Sequence, residues 1–556
     1  MLPRRALLLL HTLRTPAPAP AGASLLARAP LGAHSVANIQ LQRFFTQSPL
    51  LLGRRDRASS APAPTAAPVV APQAGDWRAA VAEFERQQNP PTPSAVHDLV
   101  ELCAQSGRHR EAQDVVRRAQ QLGVVVEVRS HALLCAAVAT KRGADRALAM
   151  LAELQRERGA GLSVDVYDPL LSVLKAQGDW RAAHAAIQQM HRFGLQPPLR
   201  AFRVLMLAAA KARQTSTLLA TVAFVETQFP GARRDSVTLT AICQALVAVD
   251  ETARVRKIYD ESDRAWLAAH ANAMLFNNFL LAAVKHDRAL DRAMTIFEQM
   301  KRSASGHPDD FTYATLMLEL EKRGEWDRVL ELFNDMQERE ARSAPGTKPL
   351  ANALTCAVVI RALHRRQERS DGPEASRQDA GSESRALKRD LGVVLKTLPR
   401  VDVANLGHAS SLVDALDEFR LYTAARQVFM RLLSERVIDE DAWMRHDGYE
   451  VDLHTFSLGV AKCAVVHAFE EFKRRHEHHL RTNNDEAQDL RIVTGVGRHS
   501  REYLRPKIRD EVMRMFAQSF RPPIWPATHP TNPGVIIVRS KVLRTWVRKD
   551  GVVRYF

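Results

Sequence analysis

The chain has 556 residues, more than a single hydrophobic core usually holds, so we expect two or more domains. Its 78 lysines and arginines exceed its 62 acidic residues, and the net charge of +16 favours a polyanionic partner, although organellar proteins are also often basic. Five scattered cysteines without a C-x-x-C pair argue against a disulfide framework and a zinc site. No apolar run is long enough for a membrane span, so no membrane partner is expected.

The N-terminal region has the composition of a targeting segment. Residues 1–55 contain seven arginines and no acidic residue, which predicts an organellar transit peptide. The segment 42–46 resembles a mitochondrial processing site, so a mitochondrial location is predicted, with the plastid as the alternative. A secretory signal is the rival because residues 6–10 are apolar, but the continued arginines argue against it. Residues 56–74 are rich in alanine and proline and are predicted to be a disordered linker.

The middle of the chain is repetitive. Gly107, Gly143 and Gly178 lie 36 and 35 residues apart, each in a polar turn between two apolar-periodic segments. A fixed period of this length predicts an α-solenoid of helix pairs, with about nine pairs within residues 75–440. Residues 365–388 are almost free of apolar side chains and are predicted to be a disordered insertion.

Recurring phrases within the repeats identify a family resemblance. Units begin with motifs such as Phe311-Thr-Tyr-Ala-Thr-Leu-Met and end with motifs such as Phe297-Glu-Gln-Met or Phe333-Asn-Asp-Met. Together with a period longer than the roughly 34 residues of tetratricopeptide repeats, these phrases resemble pentatricopeptide (PPR) repeats. The resemblance implies binding of single-stranded RNA, one base per repeat.

In the PPR family the fifth and last residues of a unit read the base. Two units then give candidate nucleic-acid-binding pairs, Thr240 with Asn272 and Asn277 with Asp309, which in the family tend to specify adenine and uracil. Other units give pairs that match no familiar code, namely His97 with Glu127, Asp168 with Pro198 and Arg203 with Asp235. The alternative is that all these positions are ordinary first-turn and loop residues.

After residue 439 the apolar period changes. Strand-like segments alternate with helical ones, which predicts a small α/β sandwich over residues 441–556. The predicted order is a strand at 449–454, a helix at 457–479, a strand at 490–493, a helix at 505–516 and a strand at 535–538. Residues 543–547 and 552–556, joined through Asp550-Gly551, are predicted to form a basic C-terminal hairpin.

Two polar motifs lie at the ends of the predicted strands. Thr494-Gly-Val-Gly-Arg-His-Ser follows a strand and precedes a helix, an order that builds a phosphate cradle. Together with Val451-Asp-Leu-His it resembles the Smr (small MutS-related) domain, although Thr455 stands where glycine is usual. The resemblance implies nucleic-acid binding and, in several cases, endonuclease activity.

The residues of these motifs have distinct expected roles. The predicted nucleic-acid contacts are Thr494, Gly495, Gly497, Arg498 and Ser500. The candidate catalytic residues are Asp452, His454 and His499, since a histidine can move a proton and a carboxylate can orient it, bind a metal or activate a nucleophile. No metal site and no cofactor are predicted, apart from a divalent metal ion if the domain cleaves RNA.

The predicted fold is thus mainly α, a solenoid of helix-turn-helix PPR repeats followed by a small α/β Smr domain. The predicted function is that of an organellar RNA-binding protein in RNA processing, stability or expression. Its repeats would recognise single-stranded RNA, and its Smr domain would contact or cleave RNA. The alternative is a non-catalytic scaffold that docks on the ribosome or on an assembly intermediate. A third hypothesis is DNA binding by the Smr domain.

Overall fold

The structure is a computed structural model that describes residues 77–86, 89–158, 163–286, 290–343, 347, 349–370, 380–481, 488–495 and 506–554. The predicted transit peptide and linker lie outside these residues. The chain divides into two compact units between His307 and Pro308, and each is described by itself. None of the described helices combines the length and apolar character that a membrane span requires.

The first unit is built from helix pairs. Its helices are α1 Trp77–Arg86, α2 Pro93–Gln105, α3 His109–Gln121, α4 Val128–Arg142, α5 Ala144–Arg158, α6 Asp168–Gln177, α7 Trp180–Arg192, α8 Leu199–Lys211, α9 Thr215–Gln228, α10 Ser236–Ala248, α11 Thr252–Glu261, α12 Arg264–His270, α13 Ala273–His286 and α14 Asp291–Lys301. From α2 to α11, and again at α13 and α14, consecutive helices pack as pairs, and the first helices of neighbouring pairs stack on one another. Helical spacing explains the burial, as in α3, where the side chains that enter the core are Ala112, Val115, Val116 and Ala119.

Four of the described turns inside helix pairs share one backbone geometry, although two of them have no glycine. Gly107 and Gly178 have φ values of 69° and 76°, and Arg213 and Asp250 occupy the same left-handed region at 57° and 71°. A residue with a Cβ atom adopts this region at a cost of about 1–2 kcal/mol. At Arg213 and Asp250 the helix-pair fold therefore holds the turn in a conformation that the residue itself disfavours.

The second unit continues the helix pairs. Its helices before the sheet are α15 Asp310–Arg323, α16 Trp326–Arg342, α17 Ala353–Ser370, α18 Ala380–Thr397, α19 Leu406–Glu418 and α20 Tyr422–Ser434. With six pairs in the first unit and three here, the described residues contain nine pairs, which is the predicted number.

The predicted disordered insertion at 365–388 is largely wrong. Helix α17 runs to Ser370 and α18 begins at Ala380, while residues 371–379 lie outside the description. The segment lacks apolar side chains but is rich in arginine, glutamate and alanine, which favour helix. The ion pair between Arg365 and Glu368, at 2.7 Å, adds a small local contribution.

A five-stranded sheet follows, in the order β1-β2-β3-β6-β5, beside a two-stranded sheet of β4 and β7. The strands are β1 Met444–Arg445, β2 Glu450–Asp452, β3 Leu490–Val493, β4 Phe520–Arg521, β5 Ala527–Thr528, β6 Val535–Val538 and β7 Val552–Val553. The helices here are α21 Glu440–Trp443, α22 Leu458–Arg481, α23 Lys507–Gln518 and α24 Ser540–Arg548. Strands β2 and β3 are parallel, and the other pairs are antiparallel. The predicted strands at 490–493 and 535–538 and both predicted helices are confirmed.

The predicted C-terminal hairpin is wrong. Residues Ser540–Arg548 form helix α24, which buries Leu543, Trp546 and Val547 at helical spacing. Strand β7 pairs with β4 instead, through Phe520 and Val553. The helix is favoured because Trp546 packs edge-on against Phe469 of α22, at 5.8 Å between ring centroids. A hairpin would remove Trp546 from this core.

The last helix pair of the repeat region packs directly on α22. The Asp414 carboxylate of α19 accepts hydrogen bonds from the Ser457 hydroxyl at 2.8 Å and the Gly459 backbone N–H at 2.7 Å. It thus caps the start of α22 from another helix. Asp417 contacts Lys462 of α22 at 2.8 Å. These contacts explain why the second compact unit includes both the helices before residue 440 and the sheet after it.

Candidate functional site

The two polar motifs meet at one edge of the five-stranded sheet. Asp452 and Val493 are partners in the parallel ladder of β2 and β3, so the chain leaves both strands at the same edge. Gly495 follows β3 with a left-handed φ of 74°. A Cβ atom placed on Gly495 would lie 3.4 Å from the Cβ atom of His454, so the glycine backbone packs closely against the histidine.

Asp452 and His454 form a hydrogen-bonded pair. The Asp452 Oδ1 atom contacts the His454 Nδ1 atom and also accepts the His454 backbone N–H at 3.2 Å. The aspartate side chain is 14% exposed, whereas that of the histidine is 52% exposed. A carboxylate at Nδ1 favours the tautomer that carries its proton there, which leaves Nε2 as a proton acceptor. This arrangement can serve as a general base open to solvent.

The structure describes the first two residues of the predicted glycine loop, Thr494 and Gly495. Gly497, Arg498, His499 and Ser500 lie outside the described residues. Thr494, which is described, is buried, and its backbone N–H donates to the Gly534 carbonyl at 2.8 Å. Thr494 therefore joins the end of β3 to the residue that precedes β6, and its contact with nucleic acid stays a prediction. The described residues contain no group of three or more His, Cys, Asp or Glu side chains arranged to hold a metal ion.

In the first unit, one predicted base-reading pair comes together. The Thr240 hydroxyl donates to the Ser236 carbonyl at 2.6 Å and lies 3.5 Å from Asn272 Oδ1. The same Asn272 oxygen caps α13 by accepting the Leu275 N–H at 2.8 Å. Thr240 is only 7% exposed, so a base must reach into the groove between α10 and α13 to contact it.

The second predicted pair spans the two compact units. Asn277 lies in α13 of the first unit, where it is buried. Asp309 belongs to the second unit and caps α15, since its Oδ1 atom accepts the Thr312 N–H at 2.9 Å. Each of the two residues is therefore part of a helix or a helix cap in its own unit.

The preceding repeats use the equivalent positions for ion pairs. Arg203 donates through Nη1 to Asp235 Oδ2 at 3.3 Å and to Thr238 Oγ1 at 3.1 Å. Arg200 donates through Nε to Asp168 Oδ1 at 2.6 Å. Arg203 thus contacts its predicted partner Asp235, whereas Asp168 contacts Arg200 instead of Pro198. His97 contacts the Ser130 hydroxyl through Nδ1 at 3.1 Å instead of Glu127.

Two apolar side chains beside the Thr240–Asn272 pair were not anticipated from the sequence. Val237 and Met274 are 54% and 51% exposed, although both are apolar. Each is the second residue of its helix, α10 or α13. The sequence contains a signal for these residues, because an apolar residue follows the first residue of both units. The first turn of each helix is solvated there, so this side chain has no core to enter.

Comparison with known proteins yields partial matches. A PPR repeat model matches residues 311–340. A mitochondrial 15S rRNA processing factor, ppr3 of Schizosaccharomyces japonicus, is 26% identical over 132 residues, which are 24% of this chain and 18% of that protein. The chain thus matches less than a fifth of the length of this relative.

Two solved structures were also found. PPR10 in complex with an 18-nt psaJ RNA element is 16% identical with a TM-score of 0.41, and covers 74% of this chain and 58% of its own. PPR10 from maize is 15% identical with a TM-score of 0.32, and covers 71% of this chain and 64% of its own. Taken with the helix pairs described above, the family match identifies residues 311–340 as a PPR repeat.

Proposed function

We propose that this chain binds single-stranded RNA in the mitochondrion through its helical repeats. The Thr240–Asn272 pair carries the proposal, because its hydroxyl and amide are uncharged, hydrogen-bonding groups of the kind that can face a base edge. The exposed Val237 and Met274 flank it and offer apolar surface to the faces of a base. The PPR repeat at 311–340 and the relative named as a mitochondrial 15S rRNA processing factor support both the partner and the location.

Fluorescence anisotropy with labelled single-stranded RNA tests this proposal. We expect binding that weakens steeply with salt, because a chain of charge +16 should neutralise several phosphates. Duplex DNA of equal length is the competitor, and it should displace the RNA poorly. A salt-independent signal, or equal affinity for duplex DNA, contradicts the proposal.

We further propose that the C-terminal domain is of the Smr type and cleaves RNA. His454 Nε2 would accept the proton of the attacking oxygen, either an RNA 2′-hydroxyl or a water, while Asp452 holds the imidazole in the required tautomer. Gly495 leaves room for a phosphate to approach the backbone beside His454. As the attacking oxygen bonds to phosphorus, the P–O5′ bond breaks if the nucleophile is the 2′-hydroxyl, and the P–O5′ or P–O3′ bond breaks if it is water. The departing oxygen takes up a proton from solvent.

Cleavage of end-labelled RNA by the purified full chain tests this second proposal. We expect Asp452→Asn and His454→Ala to lower the cleavage rate about 100-fold or more, while leaving RNA affinity unchanged. His446→Ala is the matched control, since His446 lies in the same domain and its side chain is 73% exposed. If the wild type and both variants leave the same background, the domain does not cleave RNA, and the binding proposal stands alone.

A ribosome-associated role without catalysis is the second candidate. The observation that favours it is the relative whose name refers to 15S rRNA. Ultraviolet crosslinking in mitochondria separates the two candidates. A short footprint on defined transcripts supports RNA recognition by the repeats, whereas crosslinks confined to intact ribosomal RNA support docking on the ribosome.

A further inference from the structure

One large aromatic side chain stands out on the C-terminal domain. The Trp525 side chain is 75% exposed, whereas every other tryptophan among the described residues is buried or half-buried. Large aromatic side chains are seldom left in water at this level, because burying them is strongly favourable. The exposed face of the Trp525 indole is therefore open to a ligand.

The backbone that carries Trp525 is held on both sides. Ile524 is buried, and its N–H donates to the Phe516 carbonyl at 3.1 Å. On the other side Pro526 restricts the chain, and Ala527 begins strand β5 as the partner of Ile537. Because the backbone is already ordered, the indole can bind a ligand at a small further cost in conformational entropy.

Strand β5 leads from Trp525 to the candidate catalytic edge. It is the last strand of the sheet order, and both of its residues are exposed. At its far end the His529 N–H donates to the Val535 carbonyl at 3.0 Å, one residue from Gly534, which accepts the Thr494 N–H. The four steps along the chain from Trp525 to His529 span about 13 Å in an extended conformation.

The segment that contains β5 has a positive net charge, and Arg509 is the cationic side chain that contacts the strand. Residues 506–540 contain five lysines and arginines, at 507, 509, 514, 521 and 539, against two acidic residues, at 510 and 511, a net charge of +3. Arg509 of α23 donates to the Thr528 hydroxyl at 3.3 Å, which brings a guanidinium group onto the edge strand. An exposed indole followed along the strand by a guanidinium group is a combination that can hold unpaired nucleotides, since a base stacks on the indole and the guanidinium contacts a phosphate.

We propose that Trp525 stacks an unpaired base of RNA and that β5, with Arg509, guides the adjoining backbone toward Asp452 and His454. This binding site rests on the proposed RNA-binding function and adds to it a contact outside the helical repeats. It takes single-stranded rather than duplex RNA, because a base can stack on the indole only where no neighbouring base covers its face.

Trp525→Ala in the full chain tests the proposal by anisotropy with a labelled single-stranded oligouridylate. We expect about a tenfold loss of affinity, with the repeats supplying the remaining binding. Trp525→Phe should retain most of the affinity because phenylalanine also stacks. Val552→Ala, which removes a 42% exposed side chain from β7, is the control and should change nothing.

Tryptophan fluorescence adds an independent measurement. Stacking of a base should quench part of the emission of the wild type, and Trp525→Phe should remove that part while binding persists. If Trp525→Ala binds RNA like the wild type, this inference is overturned, and the proposed function is untouched. If the wild type binds no RNA, the proposed function fails and this inference fails with it. Unchanged thermal unfolding of the variants, expected at so exposed a position, excludes a folding defect.

Discussion

Two consecutive repeats of the first unit place different chemistry at equivalent positions. Arg203 contacts Asp235, and Thr240 contacts Asn272, and in each case the partners are 32 positions apart in the sequence. The first contact joins two opposite charges and a further hydroxyl, so each of these groups already has a hydrogen-bonding partner. The second joins two neutral groups at 3.5 Å, the limit of a hydrogen bond, and a base can replace it at little cost. The helical period therefore provides the groove, but the two side chains decide whether the groove can accept a ligand.

Transplanting the ion pair should have the largest effect. In the double variant Thr240→Arg, Asn272→Asp, the guanidinium and carboxylate should engage each other as Arg203 and Asp235 do. We expect RNA affinity to fall about tenfold, or about 1.4 kcal/mol, at unchanged net charge. Anisotropy titration measures it, and the reciprocal variant Arg203→Thr, Asp235→Asn should not weaken binding. Wild-type affinity in the first variant would refute the distinction between the two grooves.

Removing the two caps separates stability from recognition. Asp235 accepts the Thr238 N–H at 3.2 Å and Asn272 accepts the Leu275 N–H at 2.8 Å, so each caps the helix that follows it. Replacement of either residue by alanine should cost about 1 kcal/mol in the free energy of unfolding, measured with urea. Only Asn272→Ala should also weaken RNA binding, about fivefold. Equal losses of affinity in both variants would mean that binding responds to helix stability alone.

The turns test whether backbone geometry distinguishes the repeats. Asp250→Gly should stabilise the fold by about 1 kcal/mol, because glycine adopts the left-handed region without a Cβ clash. The ion pair of Asp250 with Lys285 is lost, but the aspartate side chain is 70% exposed and the pair contributes little. RNA affinity should not change. Gly178→Ala is the opposite control, and it should destabilise the fold, since its Cβ atom would lie 3.0 Å from the Lys211 side chain. Destabilisation by Asp250→Gly would be inconsistent with strain at this turn.

The smallest expected effect concerns pH. The Thr240–Asn272 pair contains no titratable group, whereas burial lowers the pKa of His408, in the second unit, below its ordinary value of 6.5. The folded chain thus favours neutral His408, so the stability linked to this group is complete above about pH 6.5 and is lost as the pH falls below it. His408→Gln should flatten this part of the stability curve, measured by denaturant unfolding at a series of pH values. A curve parallel to that of the wild type would exclude His408 as the source.

The sequence predicts the helix pairs well because each helix repeats its apolar positions every three or four residues. It fails at 365–388, where helix-forming residues continue α17 and α18 without an apolar face to reveal them. It fails again at α24, where a short apolar run fits strand and helix equally, and only the distant core around Phe469 decides between them.

The candidate site divides in the same way. Asp452 and His454 could be expected beside Gly495 because each motif ends a strand, and parallel strands end at one edge. The buried state of Thr240 could not be expected, because it depends on the next helix pair. Nor could the capping role of Asp414, since no local pattern indicates which carboxylate of a distant helix will accept the N–H groups of α22.

The cap on α22 determines the smallest fragment of this chain that can be transferred to another protein. A fragment that starts at residue 440 would leave the Gly459 N–H without Asp414 and the Lys462 ammonium without Asp417. A graft of the sheet onto a foreign repeat array would meet the same loss unless the new final repeat supplied carboxylates at both positions. The last helix pair and the sheet therefore form one structural unit. We expect gene fusions that preserve the domain to have their junctions upstream of α19.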